Sequence, residues 1–286
     1  MCLRLAGKGP EAVELTFAQP APELASYISL YYHVRVEYPL IEDFERADVG
    51  YLRLMFSGRG HYRYRRHADP DRPVMLLGPA TETASYSIQG PLDSFGCVLL
   101  PAFWGGIARA EASDYANRAL DGVPALDEDI MRVYDAMISA PDVEAMARLM
   151  DAYLIPRIRS VPEDQLTVIG RIGDWLSAKP IPPVDALYAV CDLSERQVMR
   201  IANRYFGAPP KLLARKFRAL RTASRLIGTK GPVPEALAAE YADRAHLNRE
   251  VKHFTGMTPR QLQIHSNPIM QVTLHPDNFR EDAPWT

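Results

Sequence analysis

The chain has 286 residues, 47% apolar and 24% charged, with a formal net charge of −2. That length points to two domains, and the composition excludes a largely disordered, collagen-like or disulfide-framed chain. No run of 18 apolar residues occurs, and Met1-Cys2-Leu3-Arg4-Leu5-Ala6-Gly7-Lys8 lacks the apolar core of a signal peptide, so neither a membrane span nor export is expected. Three distant cysteines, Cys2, Cys97 and Cys191, make neither a disulfide framework nor a zinc site and fit a reducing cytosol. The small net charge hides an asymmetry. Residues 1–179 carry 18 Lys+Arg against 25 Asp+Glu, a net −7, whereas residues 180–265 carry 14 against 7, a net +7. A basic C-terminal module joined to an acidic N-terminal one points to a polyanion partner for the former alone.

From about 13 to 108 the pattern is mainly β. A short helix is expected over 22–28, then a strand over Ile28–Val36. Tyr51-Leu52-Arg53-Leu54-Met55-Phe56 is rich in strand formers, Ser57-Gly58-Arg59-Gly60 is a turn signal, and His61-Tyr62-Arg63-Tyr64-Arg65 alternates with both tyrosines on one face. A hairpin is the simplest arrangement. Further strands are expected over Val74–Leu77, 84–88 and 95–100, punctuated by Gly78-Pro79, Gly90-Pro91 and Pro101. Many short strands with frequent turns predict a barrel or a sandwich.

From about 126 the period becomes helical. Ile130, Val133, Tyr134, Met137 and Ile138 recur at helical spacing, a second helix starts at Asp142 and runs through Leu154, and a third covers 165–178. Lys179-Pro180-Ile181-Pro182-Pro183 is a stiff break. The domain boundary is placed in this helical region, with the C-terminal module beginning near 165.

Residues 184–262 hold an internal repeat offset by 49 residues. Ser194 aligns with Asp243, Val198 with Leu247, Arg200 with Arg249, Gly207 with Gly256, Pro210 with Pro259 and Leu213 with Leu262. Ser194-Glu195-Arg196-Gln197 matches a capping box, and Asp243 is a helix N-cap suited to the dipole. Gly207 and Gly256 end their helices, and the prolines start the next ones. Short amphipathic segments precede each cap: Val184, Leu187, Tyr188 and Cys191 in the first copy, Ala236, Leu237, Ala238 and Tyr241 in the second. Helix, short turn, capped helix is the helix-turn-helix pattern, whose second helix can enter a major groove. One helix over 211–227 joins the copies. Its roughly 25 Å length can hold two recognition helices about one DNA turn apart.

The segment resembles the C-terminal DNA-binding domain of AraC/XylS-type bacterial transcription regulators. The carrying residues are Leu193-Ser194-x-Arg196-x-Val198-x-Arg200 with Phe206-Gly207-x-x-Pro210, Arg221-x-Ala223, and Tyr241-x-Asp243-x-x-His246-Leu247-x-Arg249 with Phe254-x-Gly256-Met257-Thr258-Pro259. By position, the resemblance assigns base contacts to Arg196, Met199 and Arg200 and to Arg244, Ala245, Asn248 and Arg249. The arginines can fork onto guanine, Asn248 onto adenine, and Met199 and Ala245 can make apolar contact. Arg215, Lys216, Arg221, Lys230 and Lys252 suit phosphates, which set position and salt dependence. Three departures stand out: Asp192 and Glu240 occupy a turn position usually held by Gly, and Ala202 replaces a large aromatic.

The resemblance also implies an N-terminal β-barrel that senses an effector, followed by dimerising helices. The expected fold class is therefore α+β: a small cupin-like barrel (1–125), a helical dimerisation region (126–164), an all-α domain of two helix-turn-helix units joined by a linker helix (165–265), and a tail (266–286) in which Met270-Gln271-Val272-Thr273-Leu274 could add a strand. Barrel interiors and mouths are common ligand sites, and Tyr31, His33, Arg53, Tyr62, Tyr64, Tyr86, Phe103 and Trp104 are the lining candidates, although strand aromatics are more often core. The implied partners are double-stranded DNA, a small-molecule effector, a second copy of the chain and RNA polymerase, in the bacterial cytoplasm at the nucleoid. No catalytic residue, cofactor or metal is expected: His33, His61 and His67 form no His-x-His pair, Gly58-x-Gly60 precedes no helix, and no Gly-x-Ser-x-Gly elbow occurs. The alternatives are a barrel enzyme or metal-dependent sensor with an appended DNA-binding module, and an N-terminal domain that binds only protein.

Overall fold

The computed structural model describes residues 13–227, 229, 231–265, 270 and 274, and the backbone of 2–5. The strands are β1 (Cys2–Leu5), β2 (Val13–Ala18), β3 (Ile28–Val36), β4 (Leu40–Glu45), β5 (Tyr51–Arg63), β6 (Ala68–Pro70), β7 (Val74–Leu77), β8 (Ala84–Leu99) and β9 (Ala119–Asp121). They form one antiparallel sheet ordered β1-β2-β3-β8-β5-β7-β9, with β4 added to β8 and β6 to β5. The expected strands over Ile28–Val36 and Val74–Leu77 are present. The segment 22–28 holds only a single 3₁₀ turn, Pro22–Leu24.

Two expected breaks are not breaks. The turn signal Ser57-Gly58-Arg59-Gly60 lies inside the 13-residue strand β5, where register shifts at Met55/Ser57 and Ser57/Arg59 absorb it as bulges. Gly90-Pro91 lies inside the 16-residue β8. Glycine and proline inside a strand mark bends and bulges as readily as ends. The hairpin turn falls instead at 64–67, where Tyr64 N–H donates to the His67 carbonyl (2.9 Å) before β6.

The bends shape the sheet. Arg53 and Tyr62 are nine residues apart on β5, about 30 Å along a straight strand, yet the Arg53 guanidinium donates to the Tyr62 hydroxyl at 2.8 Å. The sheet therefore curls over its own concave face, which carries Val34, Val36, Tyr51, Met55, Tyr62, Tyr86 and Ile88. The convex face, with Tyr31, Leu52, Leu54, Phe95 and Cys97, is covered by helices. These are α1 (Ala102–Gly106), α2 (Ala112–Tyr115), α3 (Val123–Leu126), α4 (Asp129–Ile138) and α5 (Val143–Leu154, capped by Asp142).

The C-terminal part is helical: α6 (Glu163–Ser177), α7 (Val184–Val190), α8 (Glu195–Phe206), α9 (Pro210–Leu226), α10 (Glu235–Ala238), α11 (Arg244–Thr255) and α12 (Pro259–His265). A third cluster joins α6 to the first helix-turn-helix unit through Ile169, Ile172, Leu176, Leu187, Val198, Ile201, Ala202 and Phe217. Ala202, where a large aromatic is usual, is fully buried there. Neither Asp192 nor Glu240 adopts a positive φ. The proposed strand over 270–274 lies outside the described residues, apart from Met270 and Leu274, which are buried and helical.

The two halves are welded at the β4–β5 loop. Ala47 N–H donates to the Phe254 carbonyl at the end of α11 (2.6 Å). Lys216 on α9 is 2% exposed and donates to the Asp48 and Ala80 carbonyls (3.0 and 3.1 Å). Asp48 itself is fixed by Arg46 (2.8 Å) and the Tyr51 hydroxyl (2.6 Å).

Gly96 is a steric requirement of the concave face. A Cβ there would lie 2.1 Å from Cζ of Tyr32, whose hydroxyl accepts from Arg53 Nε at 2.7 Å. Gly96→Ala is expected to push the ring off Arg53 and cost about 1–3 kcal/mol, seen as a lowered melting temperature of the full chain.

Candidate nucleic-acid interface

Each recognition helix is fixed at both ends by its own sequence. At α8 the capping box is complete: Gln197 N–H donates to Ser194 Oγ, and Gln197 Oε1 accepts from Ser194 N–H (3.0 Å). At α11 Asp243 accepts from His246 N–H (2.6 Å), and His246 Nδ1 accepts from the N–H of Ala242, the residue before the cap (3.3 Å). Both helices stop at left-handed glycines, Gly207 (φ 76°) and Gly256 (φ 78°).

The caps set the phase of the exposed faces. On α8, Val198, Ile201, Ala202, Tyr205 and Phe206 are buried, while Arg196, Met199 and Arg200 are exposed. On α11, Leu247, Glu250, Val251 and Phe254 are buried, while Arg244, Ala245, Asn248, Arg249 and Lys252 are exposed. Among the described residues none of the four arginines, nor Asn248, has a hydrogen-bond or ion-pair partner within the chain. Their donors are free for an outside ligand.

The linker helix departs from expectation. Lys216 and Arg221 were both assigned to phosphates, and both are buried. Lys216 plugs into the N-terminal loops, and Arg221 donates to the Ala178 and Leu176 carbonyls (2.6 and 2.8 Å), pinning the end of α6. Arg215 is half-exposed, with its fork on Glu250 (3.1 and 2.8 Å). Lys230 lies outside the described residues. The carboxylate that ties α9 to α11 is thus Glu250, joined by Arg218 at 3.8 Å. Its only sequence signal was its phase, one residue past Arg249 and so turned toward the buried side.

No curated protein matches the chain. Among solved structures, ToxT from Vibrio cholerae overlaps at 8% identity with a TM-score of 0.42, covering 79% of this chain and 98% of ToxT. The AraC-like transcriptional activator CuxR overlaps at 14% identity and a TM-score of 0.35, covering 70% and 72%. A domain of unknown function matches residues 16–121. A helix-turn-helix domain matches residues 187–264, the span of both capped units. Residues 187–264 therefore form a helix-turn-helix domain.

The eight residues expected to line an effector pocket divide between the two faces of the sheet. Arg53, Tyr62, Tyr64 and Tyr86 meet on the concave face. Arg53 also donates to Glu45, and its guanidinium lies 4.7 Å from the Tyr51 ring centroid. Burial pushes the Tyr62 and Tyr86 hydroxyls up, so they stand as neutral donors. Glu45, Tyr32 and Tyr51 complete this cluster and were not foreseen. Tyr31, Phe103 and Trp104 instead pack beneath the convex-face helices, with the Tyr31 hydroxyl on Asp151 (2.7 Å), and cannot share a pocket with Arg53. His33, also convex, contacts Asp93 (2.7 Å) and lines a cleft of about 320 Å³ with Glu14, Phe17, Arg35 and Glu144. Among the described residues no group of three or more metal-ligating side chains occurs, and no helix is long and apolar enough to cross a membrane.

Glu250 makes the helix-turn-helix domain sensitive to acid. Burial raises its carboxyl, but the Arg215 bonds together with the charges of Arg215, His246 and Arg218 outweigh burial and hold it below the usual glutamate value. A depressed folded-state value stabilises above the unfolded value near 4.5 and is lost as pH falls through the folded one. Glu250→Gln is therefore expected to lower the melting temperature at pH 7 and to flatten its fall below about pH 4.5, as read from melting curves between pH 3 and 7.

Proposed function

We propose that the chain is a sequence-specific transcription regulator that lays α8 and α11 in two successive major grooves on one face of a duplex. The observation that carries this reading is the unpaired, exposed set Arg196, Met199, Arg200, Arg244, Ala245, Asn248 and Arg249, on helices whose opposite faces are buried. Arg196, Arg200, Arg244 and Arg249 can each take guanine O6 and N7, and Asn248 adenine N6 and N7. Lys252 and Lys230 would hold phosphates. Pairing of two copies and contact with RNA polymerase belong to the same reading.

Selection of bound sequences from random duplexes, using the full chain, tests it. Two preferred blocks about one turn apart are expected, and two-fold repetition of the motif would mark pairing. Binding without preference would remove the base-reading role. Arg249→Ala is expected to cost about 1–3 kcal/mol and to relax preference at one base pair; an equal loss on every sequence would make Arg249 a backbone contact.

Control belongs to a small molecule in the N-terminal domain. The supporting observation is the Tyr86 hydroxyl on the concave face, which is buried and has no partner among the described residues. Such a group is favoured by a ligand atom that completes it. A thermal-shift screen of the full chain should yield ligands whose stabilisation is lost in Tyr86→Phe. Ligands indifferent to that change would place the site elsewhere, with the His33 cleft as the next position.

A further inference from the structure

The N-terminal half carries a net −7, yet one of its hairpins is strongly basic. Between 59 and 72 lie Arg59, Arg63, Arg65, Arg66 and Arg72, all exposed. The nearby acids do not neutralise them. Asp69 is buried and held by Arg118 (2.9 Å), and Glu82 pairs only with Arg65 (3.8 Å). Among the described residues no carboxylate lies within ion-pair distance of Arg59, Arg63, Arg66 or Arg72. The hairpin shows almost no apolar surface, since Tyr62 and Tyr64 point inward and are buried. Arg59 and Arg63 lie exposed on β5, about 14 Å apart along the strand, and Arg65 and Arg66 stand exposed in the turn that follows. Bare charge without apolar area suits a polyanionic backbone, not a bilayer or an apolar protein face.

Its place in the fold identifies the polyanion. Arg65 N–H donates to Glu82 Oε1 (3.0 Å), fixing the hairpin tip to the loop 81–83. That loop grips the second recognition helix. Thr83 N–H donates to the His253 carbonyl (3.0 Å), and His253 Nε2 lies 3.1 Å from the Thr81 carbonyl oxygen. His253 is one helical turn beyond Arg249, hence its neighbour on the same side of α11, and it follows the exposed Lys252 directly. The arginine-rich tip is thus tied, through loop 81–83, to the residue one helical turn beyond Arg249. We propose that the hairpin 59–72 is a second DNA contact, gripping phosphates that flank the block read by α11. The proposal rests on the groove-reading placement of α11, and the experiment below separates failure of one from failure of the other.

The full chain carrying Arg63→Gln, Arg66→Gln and Arg72→Gln is compared with the unaltered chain on a 40-base-pair duplex, either the selected sequence or a random one. Arg65 is kept because it anchors the tip. Each lost phosphate contact lowers the slope of log affinity against log salt by about 0.9, so the triple variant should be shallower by roughly 2–3 with its base preference unchanged. An unchanged slope alongside intact binding would overturn the hairpin's role and leave an acidic protein as the candidate partner. No binding of either duplex by the unaltered chain would overturn both readings. Should the variant melt early, the unaltered chain is measured on duplexes trimmed stepwise beyond the α11 block. A drop of the same size in slope supports the contact, and a constant slope down to the block overturns it.

Discussion

The structure depends on a lysine buried between two domains. An ammonium group taken out of water is tolerated only where carbonyls or carboxylates replace the lost hydration. Lys216 finds the Asp48 and Ala80 carbonyls, and both belong to loops of the N-terminal sheet. The linker helix is therefore part of the sheet's packing as well as the spacer between helix-turn-helix units. The backbone bond from Ala47 to Phe254 repeats the connection at the second recognition helix. Those contacts lie away from the exposed arginines of α8 and α11.

The same loop connects the helix-turn-helix half to the centre of the concave face. Glu45 ends β4 and Arg53 lies on β5, so the Glu45–Arg53 pair brackets residues 46–50. A change in that pair has a short covalent path to Ala47 and Asp48, and from there to α9 and α11. The tyrosines around Arg53 give the pair a low-dielectric setting, in which a competing hydrogen bond carries more weight than it would in water.

Much of the helical half was legible because its signals are local. A side-chain N-cap, a C′ glycine and a proline at the start of a helix act within one turn, and the 49-residue repeat shows each of them twice. The sheet was less legible. A strand boundary depends on what the partner strand does, so Ser57-Gly58-Arg59-Gly60 and Gly90-Pro91 looked like ends while β5 and β8 ran through them as bulged and bent strands. The partners of individual side chains were least legible of all. Arg215, Lys216 and Arg221 lie close together on one basic helix, and the sequence offers no sign that the first meets Glu250, the second an N-terminal loop and the third the end of α6. Tyr31 and Tyr62 look alike as strand aromatics but occupy opposite faces, because facing depends on a register that the bulges shift.

The glycines that end the two recognition helices both abut the N-terminal half. A side chain at Gly207 would press on Pro79, and one at Gly256 on the Phe44 ring. The two reading heads are thereby referenced to one frame, beyond the single helix that joins them. Inserting one base pair between the two blocks of an operator rotates one block by about 35° relative to the other. Under the proposed groove-reading placement, a flexible pair of helices could follow that rotation, whereas two held against a common sheet would resist it, as a caliper with a fixed gap would.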